Sequence, residues 1–204
     1  MHIVLATCHK LYRATDPRTR PVELAVAHWT ASPPKAPERP DPDRIVAWLA
    51  DDARQASTGL VVMRDGDVIQ AATLAERTWH AGGSVWTDPN GHAAGGVNFR
   101  SIGFDLENVG FVRKSPTGDG TFIDGYGGRY KGATPVKTTK GYFEPYTAQQ
   151  LATLDEVVRW MAREIPILRE PARWTGHENI QTGKSDPGPL FPWESVRTAV
   201  ASTR

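Results

Sequence analysis

Two histidines and one aspartate stand where their side chains can bind a metal ion. His28 comes at the end of an apolar run, and His177 and Asp186 lie in one glycine- and proline-rich segment. Two imidazoles and one carboxylate suit Zn²⁺, and three protein ligands leave a fourth coordination position for water. The chemistry that this set predicts is metal-assisted hydrolysis, although spacing alone leaves a purely structural role for each histidine open.

Motifs that would indicate a different chemistry are incomplete. Residues 183–185 (GKS) resemble the end of a phosphate-binding loop, but Glu178 occupies the position of the required first glycine. Gly125 and Gly127 lack the third glycine of a dinucleotide fingerprint, because residue 130 is tyrosine. No His-Glu-x-x-His motif occurs, which excludes the helical metalloprotease pattern.

Bulk composition predicts an ordinary globular domain. The chain is 39% hydrophobic and 23% charged, and its formal net charge of +1 gives no overall field that recruits nucleic acid or an anionic membrane. Cys8 is the only cysteine, which excludes an internal disulfide and a multi-cysteine metal site. We expect Cys8 to be a buried or half-buried thiol rather than a reactive one.

Two apolar runs are predicted to be strands. Residues 22–28 are rich in β-forming side chains, so His28 stands at the end of a buried strand. Residues 101–107 alternate between apolar and polar types, which places Asp105 and Glu107 on one face of a strand. Strands interleaved with helices predict a single α/β domain with a central mixed β-sheet flanked by helices.

The remaining segments predict a hairpin, helices and one long insertion. In chain order they are a helix from a cap at Asp43 to about residue 54, a hairpin of residues 60–63 and 68–71, a helix with a capping box at Thr147 and Gln150 that ends at Pro166, and a last helix from about residue 192. Residues 108–146 are rich in glycines and aromatics, and we expect them to carry a hairpin or an ordered surface loop.

Six motifs, in the family's order, resemble the type 2 N-acetylmuramoyl-L-alanine amidases, a zinc amidase family related to peptidoglycan recognition proteins and phage amidase lysozymes. They are residues 27–30 (AHWT), 64–66 (RDG), 79–82 (WHAG), 101–107 (SIGFDLE), 175–180 (TGHENI) and 184–189 (KSDPGP). The last block is the most specific, and the resemblance covers roughly residues 20–200. It implies one amidase domain over residues 1–204, with 108–146 as an insertion and the zinc site at one face of the sheet.

The resemblance also implies a role for individual residues. His28, His177 and Asp186 match the family's zinc ligands, so Zn²⁺ is the expected cofactor. Lys184 matches the catalytic lysine, and Asp105 stands where the family has a catalytic glutamate. The expected reaction is zinc-dependent hydrolysis of the amide bond between N-acetylmuramic acid and L-alanine, in peptidoglycan or its fragments.

The sequence departs from the family in two places. Asp105 is one methylene shorter than glutamate, and Glu107 lies on the same predicted strand face. We expect Asp105 to be the working carboxylate and Glu107 a supporting residue of the cleft, and the reverse assignment stays open. Residues 57–59 (STG) replace a segment in which many relatives carry His or Tyr, so a substrate-facing side chain is expected to be missing.

Three further residues are candidates for substrate binding. His80, in the WHAG motif, matches a residue of the substrate cleft rather than a ligand. Trp79 and Trp29 adjoin the same motifs. We expect both tryptophans either to stack on the sugar or to pack as ordinary core aromatics.

The alternative from a different class is a peptidoglycan-binding module without catalysis. All three ligand positions and Lys184 are present, which favours the enzyme.

The expected partner is peptidoglycan or a muropeptide, without nucleic acid or membrane, and the expected state is a monomer. No secretory signal pattern occurs, so we expect cytoplasmic synthesis, with action on the cell wall after lysis or delivery. An endolysin, a delivered toxin and a recycling enzyme all fit this expectation.

Overall fold

The computed structural model describes residues 3–4, 15–49, 51 and 56–203, so Cys8 lies outside the described residues. Its strands are β1 (Ile3–Val4), β2 (Thr15–Pro17), β3 (Leu24–Trp29), β4 (Leu60–Val62), β5 (Val68–Gln70), β6 (Glu76–Thr78), β7 (Trp86–Thr87), β8 (Ala93–Ala94), β9 (Ser101–Leu106), β10 (Phe111–Lys114), β11 (Phe122–Ile123), β12 (Val136–Thr138), β13 (Gly141–Phe143) and β14 (Trp174–Gly176). The α-helices are α1 (Pro42–Leu49), α2 (Ala148–Glu164) and α3 (Trp193–Ala201). Single 3-10 turns occupy Val97–Phe99, Pro166–Arg169, Pro171–Arg173 and His177–Asn179.

The central element is a mixed sheet of six strands in the order β1-β5-β4-β9-β3-β14. Strands β4, β9, β3 and β14 are parallel to one another, and β5 is antiparallel to β4. The predicted α/β fold with a central mixed sheet is therefore confirmed. The predicted strands at 22–28 and 101–107 are β3 and β9, and the predicted hairpin is β4–β5.

Both faces of this sheet are covered. On one face Phe104 belongs to a buried cluster with α2 and α3, which includes Leu154 and Val196. On the other face Val61 packs against Ile45 of α1. Because both faces are covered, every residue of β9 is buried, polar ones included. In the described part of the chain, no helix combines the length and the apolar character that crossing a bilayer requires.

Two helix starts show how local chemistry sets their boundaries. The capping box of α2 is present as predicted, since Thr147 Oγ1 accepts the Gln150 N–H at 3.0 Å and Gln150 Oε1 accepts the Thr147 N–H at 3.1 Å. Helix α1 differs from the prediction, because Asp41 rather than Asp43 accepts the Arg44 N–H at 3.3 Å. Residue 50 and residues 52–55, which the prediction included in this helix, lie outside the described residues.

The segment 108–146 forms a second, four-stranded antiparallel sheet in the order β11-β10-β13-β12. A buried ion pair joins it to the central sheet. Arg64 is 1% exposed, and its guanidinium donates to Glu107 at 2.6 Å and to Glu144 at 3.0 Å. The arginine of the 64–66 turn therefore connects the end of β9 to the end of β13.

Candidate metal centre and active site

The parallel strands bring His28, Asp105 and His177 to one edge of the sheet. His28 on β3 lies directly opposite Asp105 on β9. Gly176 on β14 pairs with Ala27, so His177 follows at the same edge. The carboxyl ends of parallel strands meet at one edge, and ligand sites of open α/β sheets form there.

Asp186 reaches this edge because its segment lies against β14. The Glu178 N–H donates to the Asp186 carbonyl oxygen at 2.9 Å. A Cβ at Gly176 would lie 2.6 Å from Pro187 Cδ, so only glycine leaves room for this approach. The segment therefore returns Asp186 to the side of His177.

His28, His177 and Asp186 form a compact cluster. The Nδ1 atoms of His28 and His177 lie 2.8 Å and 3.1 Å from Asp186 Oδ2. One ligand atom from each residue lies within 4.8 Å of the others. Bonds of about 2.0–2.2 Å to a common Zn²⁺ put neighbouring ligand atoms at such separations, and two imidazoles with one carboxylate are a zinc donor set. The residues present therefore fit the ion that the resemblance implies.

The electrostatics of the cluster keep its carboxylate charged. Burial of Asp186 favours the neutral acid, but hydrogen bonds with His177 and His28 outweigh burial and hold the pKa of Asp186 well below its ordinary value. An ionised carboxylate is the form that binds a metal ion.

A cavity of about 290 Å³ opens over this cluster. Of the nine residues that the sequence predicts for the site, all but Glu107 line it. Lys184 lies exposed at its edge. The cluster is therefore accessible to a substrate of moderate size.

Asp105 is the carboxylate that faces the cavity beside His28. It is 5% exposed, and burial raises its pKa, opposed by the charge of His28 and a hydrogen bond from Thr58. A carboxyl group with a raised pKa is a better general base than an ordinary one. Thr58 belongs to the segment that departs from the family, so this segment contributes a polar contact to the site.

Glu107 lies outside the cavity, although strand alternation predicts the same face as Asp105. Strand β9 ends at Leu106, and the side chain of Glu107 is completely buried. Its Oε1 accepts from the Arg64 guanidinium at 2.6 Å and from the Asp41 N–H at 2.8 Å, and its Oε2 accepts from the Arg64 N–H at 3.1 Å. This placement separates Glu107 from the cleft in which the sequence prediction puts it.

Glu107→Gln is expected to lower the free energy of unfolding by about 3–5 kcal/mol, because it leaves the buried Arg64 charge with one partner fewer. The melting temperature should fall by roughly 10 °C, at about 2–4 °C per kcal/mol for a chain of this size. Thermal unfolding followed by circular dichroism measures the change. Glu164→Gln, on the exposed end of α2, is the control and should change stability by less than about 0.5 kcal/mol. An unchanged melting temperature together with lost activity would instead indicate that Glu107 takes part in catalysis.

His80 lies against a metal-ligand candidate. Its Nδ1 is 3.0 Å from His28 Nε2, and its Nε2 is 2.9 Å from Ser101 Oγ. Burial lowers the pKa of His80 well below its ordinary value, and the charges of His28 and His177 act in the same direction. His80 therefore contacts the ligand candidate through one ring nitrogen and strand β9 through the other.

The two tryptophans have different surroundings. Trp79 is 36% exposed, and the Arg77 guanidinium lies 4.2 Å from its ring centroid. Trp29 is packed more tightly, since a Cβ at Gly110 or Gly188 would lie 2.5 Å or 2.4 Å from its indole. Trp29 therefore has a packing function besides lining the cavity, whereas Trp79 lines the cavity and stays partly exposed beside Arg77.

Two aromatic residues of the cavity were not predicted as site residues. Trp48 comes from α1 and Tyr126 from the second sheet's β11–β12 connection. Tyr126 is 70% exposed, and Asp124 Oδ1 accepts its N–H at 2.9 Å and that of Gly128 at 3.0 Å. An aromatic residue between glycines in the long insertion is the sequence signal that could have identified Tyr126.

The fold and the cluster define a class of protein. The sequence model of the N-acetylmuramoyl-L-alanine amidase family matches residues 18–189, and the chain belongs to this family. The predicted resemblance is thereby confirmed. Among similar proteins, the 1,6-anhydro-N-acetylmuramyl-L-alanine amidase AmpD of Salmonella typhimurium is 28% identical over 162 residues, which are 79% of this chain and 66% of AmpD.

A second relative has a known structure. The N-acetylmuramoyl-L-alanine amidase AmiD of Escherichia coli is 30% identical over 183 residues, 86% of this chain and 52% of AmiD. The structure of AmiD with anhydro-N-acetylmuramic acid-L-Ala-D-γ-Glu-L-Lys superimposes with a TM-score of 0.60, covering 87% of this chain and 57% of that one at 27% identity. The chain thus spans between half and two thirds of the length of these relatives.

Proposed function

We propose that this protein hydrolyses the amide bond between N-acetylmuramic acid and L-alanine in muropeptides or peptidoglycan, with Zn²⁺ bound by His28, His177 and Asp186. The observation that carries the proposal is one cavity lined by this cluster, Asp105 and Lys184, in a chain of the amidase family. AmpD and AmiD are named as amidases of this bond, and AmiD is known in complex with an anhydro-muropeptide.

The three ligand candidates supply two neutral imidazoles and one carboxylate, so the centre keeps a net positive charge. When bound, zinc lowers the pKa of a coordinated water towards about 7 and polarises the scissile carbonyl. Burial of His28 and His177 excludes competing water from the ligand side. All three ligand candidates line the cavity, so a substrate amide in the cavity would reach the ion that they would hold.

Asp105 acts as the general base and then as the general acid. It faces the cavity next to His28, accepts the proton of the attacking water and returns it to the leaving nitrogen of L-alanine. Its raised pKa suits both halves of this cycle, since the group must bind the proton and release it.

Lys184 stabilises the negative charge that develops on the carbonyl oxygen. Lys184 is an exposed residue that lines the cavity, and its backbone N–H donates to the Gln181 carbonyl oxygen at 3.3 Å, in the segment between His177 and Asp186. A positive charge contributes most where negative charge appears in the transition state.

The aromatic edge of the cavity suits the sugar and the stem peptide. Trp79 and Tyr126 are both exposed and line the cavity from different parts of the chain. Sugar rings present apolar faces that stack on aromatic side chains. We assign these two residues to substrate binding, and Trp29 to packing against Phe143, Gly110 and Gly188.

Purified protein incubated with a soluble 1,6-anhydro-muropeptide is expected to release the stem peptide with a free L-alanine amino group, detected by mass spectrometry. Metal analysis should find about one zinc per chain. Strong chelator should remove zinc and activity together, and added zinc should restore both. His177→Ala should bind no zinc, whereas His92→Ala, with an 81% exposed side chain, should behave as wild type.

The same assay separates the alternatives. Binding of muropeptide without cleavage by the zinc-loaded protein would show a binding module instead of an enzyme. Full activity in strong chelator without any metal would overturn the zinc site. Cleavage of intact sacculi would indicate a wall-degrading enzyme, and cleavage of fragments alone a recycling enzyme.

A further inference from the structure

His80 occupies a space above the sheet that only a glycine leaves open. Ser101, Gly103 and Asp105 alternate along β9 onto the same face as His28. A Cβ at Gly103 would lie 2.4 Å from His80 Cγ. The imidazole therefore lies directly over Gly103, between Ser101 and His28.

The donors and acceptors around the His80 ring can be assigned one after another, starting from Ser101. Ser101 Oγ donates to the Val97 carbonyl oxygen at 2.6 Å, and a carbonyl oxygen can only accept. Ser101 Oγ is then the acceptor for the His80 Nε2–H at 2.9 Å. A histidine that binds a metal ion through Nδ1 carries its proton on Nε2, so in that state the His28 Nε2–H donates to His80 Nδ1 at 3.0 Å.

This chain of contacts determines which nitrogen of His28 can bind a metal ion. With the proton of His28 held on Nε2, the nitrogen left to bind the ion is Nδ1, the atom that lies 2.8 Å from Asp186 Oδ2. His177 has the same arrangement, since its Nε2 lies 2.8 Å from Gln181 Oε1 and its Nδ1 faces Asp186. Both histidines thus have an acceptor on the outer side, and their inner nitrogens, which face Asp186, are the atoms that would bind the ion.

We propose that His80 is a positioning residue of the metal centre, which holds His28 in the tautomer and orientation that bind the ion. The inference rests on the proposed zinc site. Both ring nitrogens of His80 have partners within the protein, so a hydrogen bond from this ring to substrate would break the chain of contacts. Partners of this kind typically change metal affinity by about 10–100-fold when removed.

The test is the zinc affinity of the purified chain, measured by competition with a chromophoric chelator. His80→Ala is expected to weaken zinc binding by about 10–100-fold. His80→Asn should recover most of the loss, because its amide oxygen comes close to the Nδ1 position. His80→Gln should not, because its amide reaches the Nε2 end of the ring. The control is His92→Ala, which should bind zinc as wild type does.

A double-mutant cycle tests the geometry. Gly103→Ala alone should weaken zinc binding by displacing His80, whereas in the His80→Ala background the same change should have little further effect. Additive losses would mean that Gly103 acts independently of His80 and would count against the proposal. Zinc affinity measured on folded protein, checked by circular dichroism, keeps a folding defect apart from a binding defect.

Two further outcomes bear on the inference. Unchanged zinc affinity in His80→Ala together with a raised KM would overturn it and make His80 a substrate-binding residue. If His80→Ala fails to fold, Ser101→Ala provides the second measurement, and a several-fold loss of zinc affinity supports the proposal while no loss overturns it. Zinc affinity is measured without substrate, so the result for His80 can be interpreted even if the protein proves to have no amidase activity.

Discussion

Asp105→Asn is expected to lower kcat on a muropeptide by about 10²–10⁴, the usual loss when a general base is removed. The asparagine keeps the shape of the side chain but cannot take up the proton of the attacking water. Asp105 is buried opposite His28 and is not one of the three ligand candidates. The variant should therefore keep its fold and its zinc.

The measurement combines steady-state kinetics with metal analysis of the same preparation. Asp67→Asn, an exposed carboxylate in the β4–β5 turn, is the matched control and should keep wild-type kcat. Glu107→Gln should lose stability but retain kcat within about tenfold when folded. The reverse pattern, with Asp105→Asn active and folded Glu107→Gln inactive, would move the catalytic role two residues along the chain.

Lys184→Ala is expected to lower kcat by about 10²–10³ with little change in KM, the loss typical of one group that stabilises an oxyanion. In the proposed mechanism the ammonium charge acts where the carbonyl oxygen becomes negative, so its removal should affect the transition state more than the bound substrate. Zinc content and melting temperature should stay near wild type, because Lys184 is exposed.

Lys137→Ala is the matched control, since Lys137 is an exposed lysine of β12 that does not line the cavity. It should leave kcat, KM and zinc content unchanged. Loss of zinc together with unfolding in Lys184→Ala would show that the lysine supports the segment that carries Asp186. A rise in KM with unchanged kcat would instead indicate that it binds the substrate equally in ground and transition states.

The central sheet could be predicted from the sequence because its signals are local. Strand β3 is a continuous apolar run, β9 alternates, and the turn between β4 and β5 contains Gly66, whose φ is +89°. The sequence predicted only a hairpin or a surface loop in residues 108–146, because the strands of the second sheet are two to four residues long. Strands of this length are too short to show an alternation of apolar and polar residues. Strands β12 and β13 form a tight hairpin, but β10 pairs with β13 across a long connection.

The residues of the site were also predicted only in part. The motifs identified His28, His177 and Asp186 without any geometry, and the structure places these three side chains together. Alternation assigned Asp105 and Glu107 to one face, but it cannot say where a strand ends. Glu107 follows the last residue of β9, and there Arg64 and a backbone N–H determine its direction. Contacts between distant segments, such as His80 with His28, have no local signature.

The tight packing of Trp29 limits which segments of a relative could replace the second sheet. Trp29 follows His28 directly, and its indole contacts Phe143 of β13 at a centroid distance of 6.2 Å. A graft that replaced residues 111–143 to alter substrate preference would have to keep an aromatic at 143. The flanking Gly110 would have to stay as well, since any larger residue would push the indole towards the segment of Gly188. Tyr126, at the outer end of the same insertion, is free of this restriction and is the natural position to diversify first.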